Sequence, residues 1–561
     1  MSANQKKYVI GMDYGSDSCR ALLVDTSNGE EVATSVHYYQ RWKEGKYCNA
    51  SANQFRQHPL DYLEGLEKTI KEVLAQAPNV DPQSVEAISV DTTGSTPVAV
   101  NEQGIPLALV PGFEENPNAM FLLWKDHTAV QEADEINHLA KTWGGVDFTK
   151  YEGGTYSSEW FWSKILHVIR EDQEVAQAAH SWLEHCDWIP YVLTGASTLA
   201  DFKRSRCAAG HKAMWHPDWN GLPEKAFLSQ LDVRLAELRD RLFEATYTAD
   251  DVAGSLCPEW AEKLGLSTDV KIGVGTFDAH SGAVGGAITA NTLVKVMGTS
   301  TCDMVVGSYE EVGDKCVRGI CGQVDGSILP GMVGLEAGQS GFGDVLAWFK
   351  NVLAWPMRQS GASEADIDAI IPNLTAAAEK LAVEDGQVVA LDWVNGRRTP
   401  DANQLLKGAI QGLSMGTDAP RLFKAMVEAI CFGSKAIVDR FESEGVPVNA
   451  VVGMGGVAKK SRFVMQTLAD ILNKPIQVVT SHQAPALGAA MYAAVVGGVY
   501  ASVGEAMEHM SSGFDKVYQP IPSNVEFYQQ QYERYYALGQ FVESSIKTEN
   551  EQVSSVEAGV L

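Results

Sequence analysis

The sequence predicts a two-part, layered α/β protein, and three observations carry that prediction. Two distant stretches share one pattern: Tyr8–Asp25 (YVIGMDYGSDSCRALLVD) and Thr292–Gly307 (TLVKVMGTSTCDMVVG). Each is an apolar run, a Gly/Ser/Thr turn and a second apolar run, the signature of two adjacent strands joined by a tight bend. Helix and strand periodicities alternate through the first half, which implies a mostly parallel sheet layered with helices. Finally, 561 residues are long for one hydrophobic core, so at least two domains are expected.

The elements follow in order. After the first strand pair, His58–Ala77 places Leu60, Leu63, Leu66, Ile70, Val73 and Leu74 at helical spacing. Val85–Val90 (VEAISV) reads as a buried strand, and Val270–Val274 (VKIGV) as another that ends at GTFDAH, Gly275–His280. The second half opens on the repeat strands at Leu293 and passes a Gly-rich stretch, Gly331–Gly343. Helical spacing spans Asp418–Glu444; then come a strand (Val448–Met454), the pair Gly455–Gly456 and a helix from Ser461 to Leu472. The Gly/Ala-rich link at 283–291 divides the chain into parts 1–285 and 286–547. The amphipathic helix Asn524–Lys547 packs either on its own domain or on a second subunit in a homodimer, and the polar tail 548–561 is expected to fray.

Composition narrows the partners. A net charge of −27 and a pI near 4.8 argue against nucleic acid or an anionic membrane surface, and require locally placed cations for any anionic substrate. Nine cysteines with no CxxC pair read as free thiols of a cytoplasmic protein, and the N-terminus has no hydrophobic signal core. The longest apolar run, Ala484–Val503, is Ala/Gly-rich and contains Pro485 and Gly497–Gly498. It reads as a buried helix packing through small residues, not as a membrane span.

The turns carry the first chemistry. Glycine allows close approach, and successive N–H groups at such bends form an anion-binding nest, so a matched pair suits a phosphate chain clamped between two related halves. In the first turn (Asp13, Gly15, Ser16) a carboxylate would repel phosphate directly, so Asp13 suits Mg²⁺ held through water; a turn-forming Asp is the competing reading. The second turn (Gly298, Thr299) offers only donors. Asp278 lies at the carboxyl end of a strand, where ligands bind in open α/β sheets, and suits a general base for phosphoryl transfer; a helix N-cap is its alternative. No GxxxxGK[ST] loop is present, which excludes a Walker-type nucleotide site. Gly455–Gly456, at a strand–helix joint before Lys459 and Lys460, would let an adenosine approach the backbone or would be a plain turn. Trp124 with Asp126 at a helix start offers an aromatic face and a carboxylate for a sugar, or a core Trp with a capping Asp. Lys212 and Glu336 are single polar residues in apolar or Gly-rich surroundings, a setting more often structural than functional.

In this order, DYGSDSCRALLVD, WKDH, DWIPYVLTG (Asp187–Gly195), GTFDAH, GTSTC and GGVAKKSRFVMQ resemble the FGGY family of carbohydrate kinases, members of the actin-like ATPase superfamily, over Tyr8–Val503. DTTGSTPV (Asp91–Val98), NPNAMFLLWKDHTAV (Asn116–Val130), YSSEWFWSKILHV (Tyr156–Val168), CGQVDGS (Cys321–Ser327) and LDWVNGRRTPDAN (Leu391–Asn403) are most similar to members acting on L-ribulose. The resemblance implies two RNase H-like domains with ATP and a ketopentose in the cleft between them. It implies 5-phosphorylation of L-ribulose in L-arabinose catabolism, with Asp278 as base. Asp13, Gly15, Ser16, Gly298 and Thr299 would serve the Mg²⁺–phosphate chain, and Gly455, Gly456 and Lys460 the adenosine. Ser95, Thr96, Trp124, Asp126, Lys212 and Glu336 would serve the sugar. The N-terminal part would bind sugar and hold the base, and the C-terminal part would bind nucleotide. A kinase of D-ribulose or another pentulose or pentitol is the alternative in the same class, and a non-enzymatic nucleotide switch the alternative in another. His167 stands where many members have Trp, DTTGSTPV replaces the Gln-Met-His segment of xylulokinases, and Lys459–Lys460 replaces an Asn of the adenosine motif.

Overall fold

A computed structural model describes residues 6–313, 315–385 and 388–558. Both repeat stretches are hairpins with three-residue turns. Strand Tyr8–Tyr14 pairs antiparallel with Ser18–Asp25, and Thr292–Met297 with Thr301–Gly307. All of Tyr8–Tyr14 is buried, which is why it reads as an uninterrupted apolar run rather than an alternating one.

Each hairpin nucleates one seven-stranded sheet, and the two sheets share a plan. In the first, Tyr8–Tyr14 lies parallel to Val85–Thr92, which lies parallel to Lys271–Gly273, with Val252–Ser255 antiparallel at the edge. In the second, Thr292–Met297 lies parallel to Ala450–Met454, then Ile476–Val479, with Phe514–Tyr518 antiparallel at the edge. On the other side, Glu30–Tyr38 and Val333–Ala337 each add antiparallel to the second hairpin strand. The sheets are therefore mixed, not mostly parallel as the helix–strand alternation suggested. A three-residue turn can join only antiparallel neighbours, and both sheets are built outward from such turns.

The halves are not separate globules. Helix Ala484–Val496, from the second half of the chain, packs on strands Tyr8–Tyr14 and Val85–Thr92 of the first sheet and on helix Asp278–Gly285. One buried cluster accordingly mixes Val9 and Ala87 with Val294, Val452 and Ala490. The two helices meet through small residues: a Cβ on Gly488 would lie 1.8 Å from the Ser281 carbonyl oxygen. Gly488→Ala has no flexible neighbour to displace, so it is expected to cost about 1–3 kcal/mol, read as a lowered midpoint in thermal unfolding.

The Asn524–Lys547 prediction falls inside a longer helix, Pro522–Ala558, which lies on its own domain with Tyr528, Tyr535 and Leu538 buried and the Tyr535 hydroxyl 2.8 Å from Asp392. The expected fraying of 548–561 concerns residues whose side chains lie outside those described. Among the described residues no helix is long and apolar enough to cross a membrane, and all nine cysteines are free.

Candidate active site

A cavity of about 310 Å³ opens between the two halves, and both hairpin turns face it: Asp13, Gly15 and Ser16 from one, Gly298, Thr299 and Ser300 from the other. Asp278, Trp124, Lys212 and Glu336 also line it. The topology explains this convergence. Asp13 is in register with Asp91 on the neighbouring parallel strand, and the short strand Thr276–Phe277 runs beside Asp91–Thr92 and delivers Asp278. Three carboxylates thus stand at the carboxyl ends of adjacent parallel strands, the edge at which open α/β sheets bind ligands.

Their electrostatics are coupled. Burial pushes the Asp278 carboxyl up to about 7, and the charges of Asp13 and Glu336 add to that. It accepts from the Ala279 amide, 2.6 Å away. Burial also raises Asp13, against the opposing pull of Arg20, whose guanidinium donates to it at 2.9 Å. Asp91 is fully buried and held well above the usual carboxylate range by desolvation and by its two acidic neighbours. The sequence motif contained Asp91, but no local pattern gave it a role, because the trio forms only when three strands align.

In the cavity wall Lys212 and Glu336 meet across the cleft, Nζ to Oε1 at 2.7 Å. Lys212 ends helix Arg206–Lys212 of the first half, and Glu336 lies on strand Val333–Ala337 of the second. Burial by itself would lower the Lys212 ammonium's proton affinity, but the Glu336 carboxylate outweighs it and the net shift is upward. The Trp124 indole donates to Ser16 Oγ at 2.8 Å, tying the aromatic wall to the first turn. A second cross-cleft pair was not anticipated: Arg398 Nη2 lies 3.1 Å from Glu159, and both line the cavity. Both residues stood inside conspicuous motifs, but 239 positions separate them.

Three sugar candidates do not reach the cavity wall. Asp126 is fully buried and accepts from the Phe55 amide (2.7 Å), the Thr128 amide and hydroxyl (3.1 and 2.6 Å), and the Arg56 guanidinium. Its acceptor capacity is consumed by fixing the loop that presents Trp124. Ser95 and Thr96 are likewise buried: both bond Glu184, and Lys164 donates to the Ser95 carbonyl at 2.8 Å. The cavity meets Thr93 and Gly94 of that loop instead.

Gly455, Gly456 and Lys460 lie outside the enclosed cavity on an exposed shoulder, after strand Ala450–Met454 and beside the second hairpin. Gly455 has φ 89°, and a Cβ there would lie 2.5 Å from the Met297 carbonyl oxygen, so no other residue fits against the hairpin strand. Lys459 is not free, since it donates to the carbonyls of Val479 and Thr480.

Comparison with known proteins agrees with this geometry. The N-terminal domain of the FGGY family of carbohydrate kinases matches residues 8–285, and the C-terminal domain of that family matches 293–496. A protein of Vibrio parahaemolyticus named ribulokinase is 50% identical over 546 residues, 96% of each chain. One of Halalkalibacterium halodurans with the same name is 37% identical over 545 residues, covering 95% of this chain and 94% of its own. Among solved structures, a gluconate kinase of Lactobacillus acidophilus superposes with a TM-score of 0.76 at 19% identity, covering 95% of this chain and 98% of its own. A xylulose kinase of the same organism gives 0.76 at 19%, covering 96% and 99%. Two family models matched in order over most of the chain, and a relative 50% identical over 96% of it, leave one conclusion: the chain belongs to the FGGY family of carbohydrate kinases.

Proposed function

We propose that this chain transfers the γ-phosphoryl group of ATP to the 5-hydroxyl of L-ribulose. Membership of a kinase family implies ATP as the donor. The choice of sugar is supported by the name of the relative that is 50% identical over nearly the whole length. The observation that carries the chemistry is Asp278: a cavity-lining carboxyl whose pKa, about 7, matches the pH at which a general base works best.

In this reading Asp278 accepts the proton of the 5-hydroxyl as that oxygen attacks the γ-phosphorus, and the bond to the β,γ-bridging oxygen breaks to release ADP. The product leaves with a new phosphoester, and Asp278 returns its proton to solvent. Lys212 and Glu336 orient the sugar hydroxyls, with the Trp124 ring as a wall. Ser95, Thr96 and Asp126 act indirectly, holding the loops that carry Thr93, Gly94 and Trp124. The turns at Gly15–Ser16 and Gly298–Thr299 bind the phosphate chain, and Gly455, Gly456 and Lys460 flank the adenosine. Mg²⁺ suits Asp13 and Asp91, the latter with two buried oxygens that have no hydrogen-bond partner among the described residues, and bound there with ATP it would neutralise phosphate charge.

The pH profile follows from the sign of the Asp278 shift. The base works only when ionised, so below about pH 7 kcat/KM for L-ribulose is expected to fall ~10-fold per pH unit, and above it to level off. Coupled ADP release with a panel of pentuloses, pentitols and hexuloses tests the assignment. L-ribulose should give the highest kcat/KM. A better pentulose or pentitol would reassign the substrate, and no stimulation of ADP release by any sugar would overturn the kinase reading.

A further inference from the structure

Behind the sugar wall lie two imidazoles that the phosphoryl transfer does not use. His211 and His280 are buried, with ring centres 4.6 Å apart. Glu336 Oε2 lies 3.5 Å from His211 Nδ1 and 3.7 Å from His280 Nε2, and among the described residues none of these three atoms has a hydrogen-bond partner. The other Glu336 oxygen is the one that Lys212 holds.

His211 is held from behind by Ser327. The Ser327 oxygen lies 3.0 Å from His211 Nε2 and 3.2 Å from the Val324 carbonyl oxygen, so it can accept from Nε2 while donating to Val324. In that tautomer His211 turns a bare Nδ1 lone pair toward the Glu336 carboxylate, the arrangement that a bound cation would bridge. Gly322 keeps that side clear: a Cβ there would lie 2.1 Å from His211 Nδ1. Burial makes both imidazoles weakly basic, His280 at about 4, so each ring offers a neutral nitrogen.

We propose that His211 Nδ1, His280 Nε2 and Glu336 Oε2 form a binding site for a divalent transition cation of the zinc class. The three residues each offer one donor atom within 4.8 Å of the other two. Zinc bonds of about 2.0–2.1 Å at tetrahedral angles need donors roughly 3.3–3.5 Å apart, so the two distances to Glu336 fit with small adjustments. Two nitrogens and one oxygen select zinc, cobalt or nickel over magnesium, which takes oxygen ligands. The Ser327 hydroxyl supplies the outer hydrogen bond that orients a ligating histidine. Glu336 lines the cavity, so the cation enters from the cleft and takes the carboxylate assigned above to the sugar. Zinc therefore competes with sugar but not with ATP, a consequence that rests on the kinase reading; the site itself does not.

Cobalt titration of the full-length, chelator-treated chain, followed by visible absorption without sugar or nucleotide, tests the site. One equivalent should bind with the strong visible bands of a low-coordinate, nitrogen-ligated cobalt ion. His280→Ala should abolish those bands, and Ser327→Ala, which removes only a hydroxyl, should weaken binding ~10–100-fold. Absence of the bands in the wild type, or bands unchanged in both variants, would overturn the proposal. In the kinase assay, zinc should raise the KM for L-ribulose several-fold at constant KM for ATP; an unchanged sugar KM at saturating zinc would overturn the competition. Failure of sugar phosphorylation would leave the cobalt result standing.

Discussion

Asp278→Asn is expected to lower kcat by ~10²–10⁴-fold while the KM for L-ribulose changes only a few-fold. Asn keeps the shape and the contact with the Ala279 amide but cannot accept the hydroxyl proton. Stability separates this from misfolding, and its sign is opposite. The folded-state pKa of Asp278, about 7, lies above the ordinary value near ~3.9, so the native state binds the proton more tightly than the unfolded chain does. Stability from this group is present below the ordinary value and is lost as pH rises through about 7. A neutral Asn escapes that loss, so the variant's thermal midpoint at pH 8 should equal or exceed the wild type's. Near-normal turnover would reject Asp278 as the base, and a lower midpoint would assign the activity loss to damage of the fold.

Lys295→Met is expected to be the most destabilising single change in the second hairpin. Lys295 is 1% exposed and bonds both oxygens of the equally buried Asp303 at 3.0 and 2.8 Å, and Gln339 at 3.1 Å. Removing one partner of a buried pair leaves an uncompensated charge, at a cost of about 3–5 kcal/mol. The urea midpoint should fall accordingly, and the Gly298–Thr299 turn, which joins the two strands of this pair, should lose its shape with it. Lys295→Met combined with Asp303→Leu should recover part of the loss, because the stranded carboxylate is gone. A single variant with an unshifted midpoint would contradict the pair's role.

The two hairpins, and the shared plan they imply, were legible because a strand–turn–strand pattern is local. The mixed pairing of the sheets was not, since helix–strand alternation records connections and not the direction of every neighbour. Asp278 could be read from its place at the end of VKIGVGTF. Asp91, Glu159 and Arg398 could not be given roles from their motifs, because the cleft pairs them with residues remote in sequence. Asp126, read as either a sugar ligand or a capping Asp, and Ser95, a sugar candidate by resemblance, are turned inward by the fold, where Arg56 and Glu184 bond them. Lys212 and Glu336 looked structural one at a time, and only the 2.7 Å contact across the cleft makes them a pair.

With Asp278 as base, the cleft is expected to deliver one hydroxyl of one sugar to the γ-phosphate. Phosphorus–proton correlation NMR of the product formed from L-ribulose and ATP tests it most directly. ADP should form in equal amount with a single phosphoester whose phosphorus couples to the C5 protons. ADP formed without a phosphoester, or phosphate attached at another carbon, would contradict it.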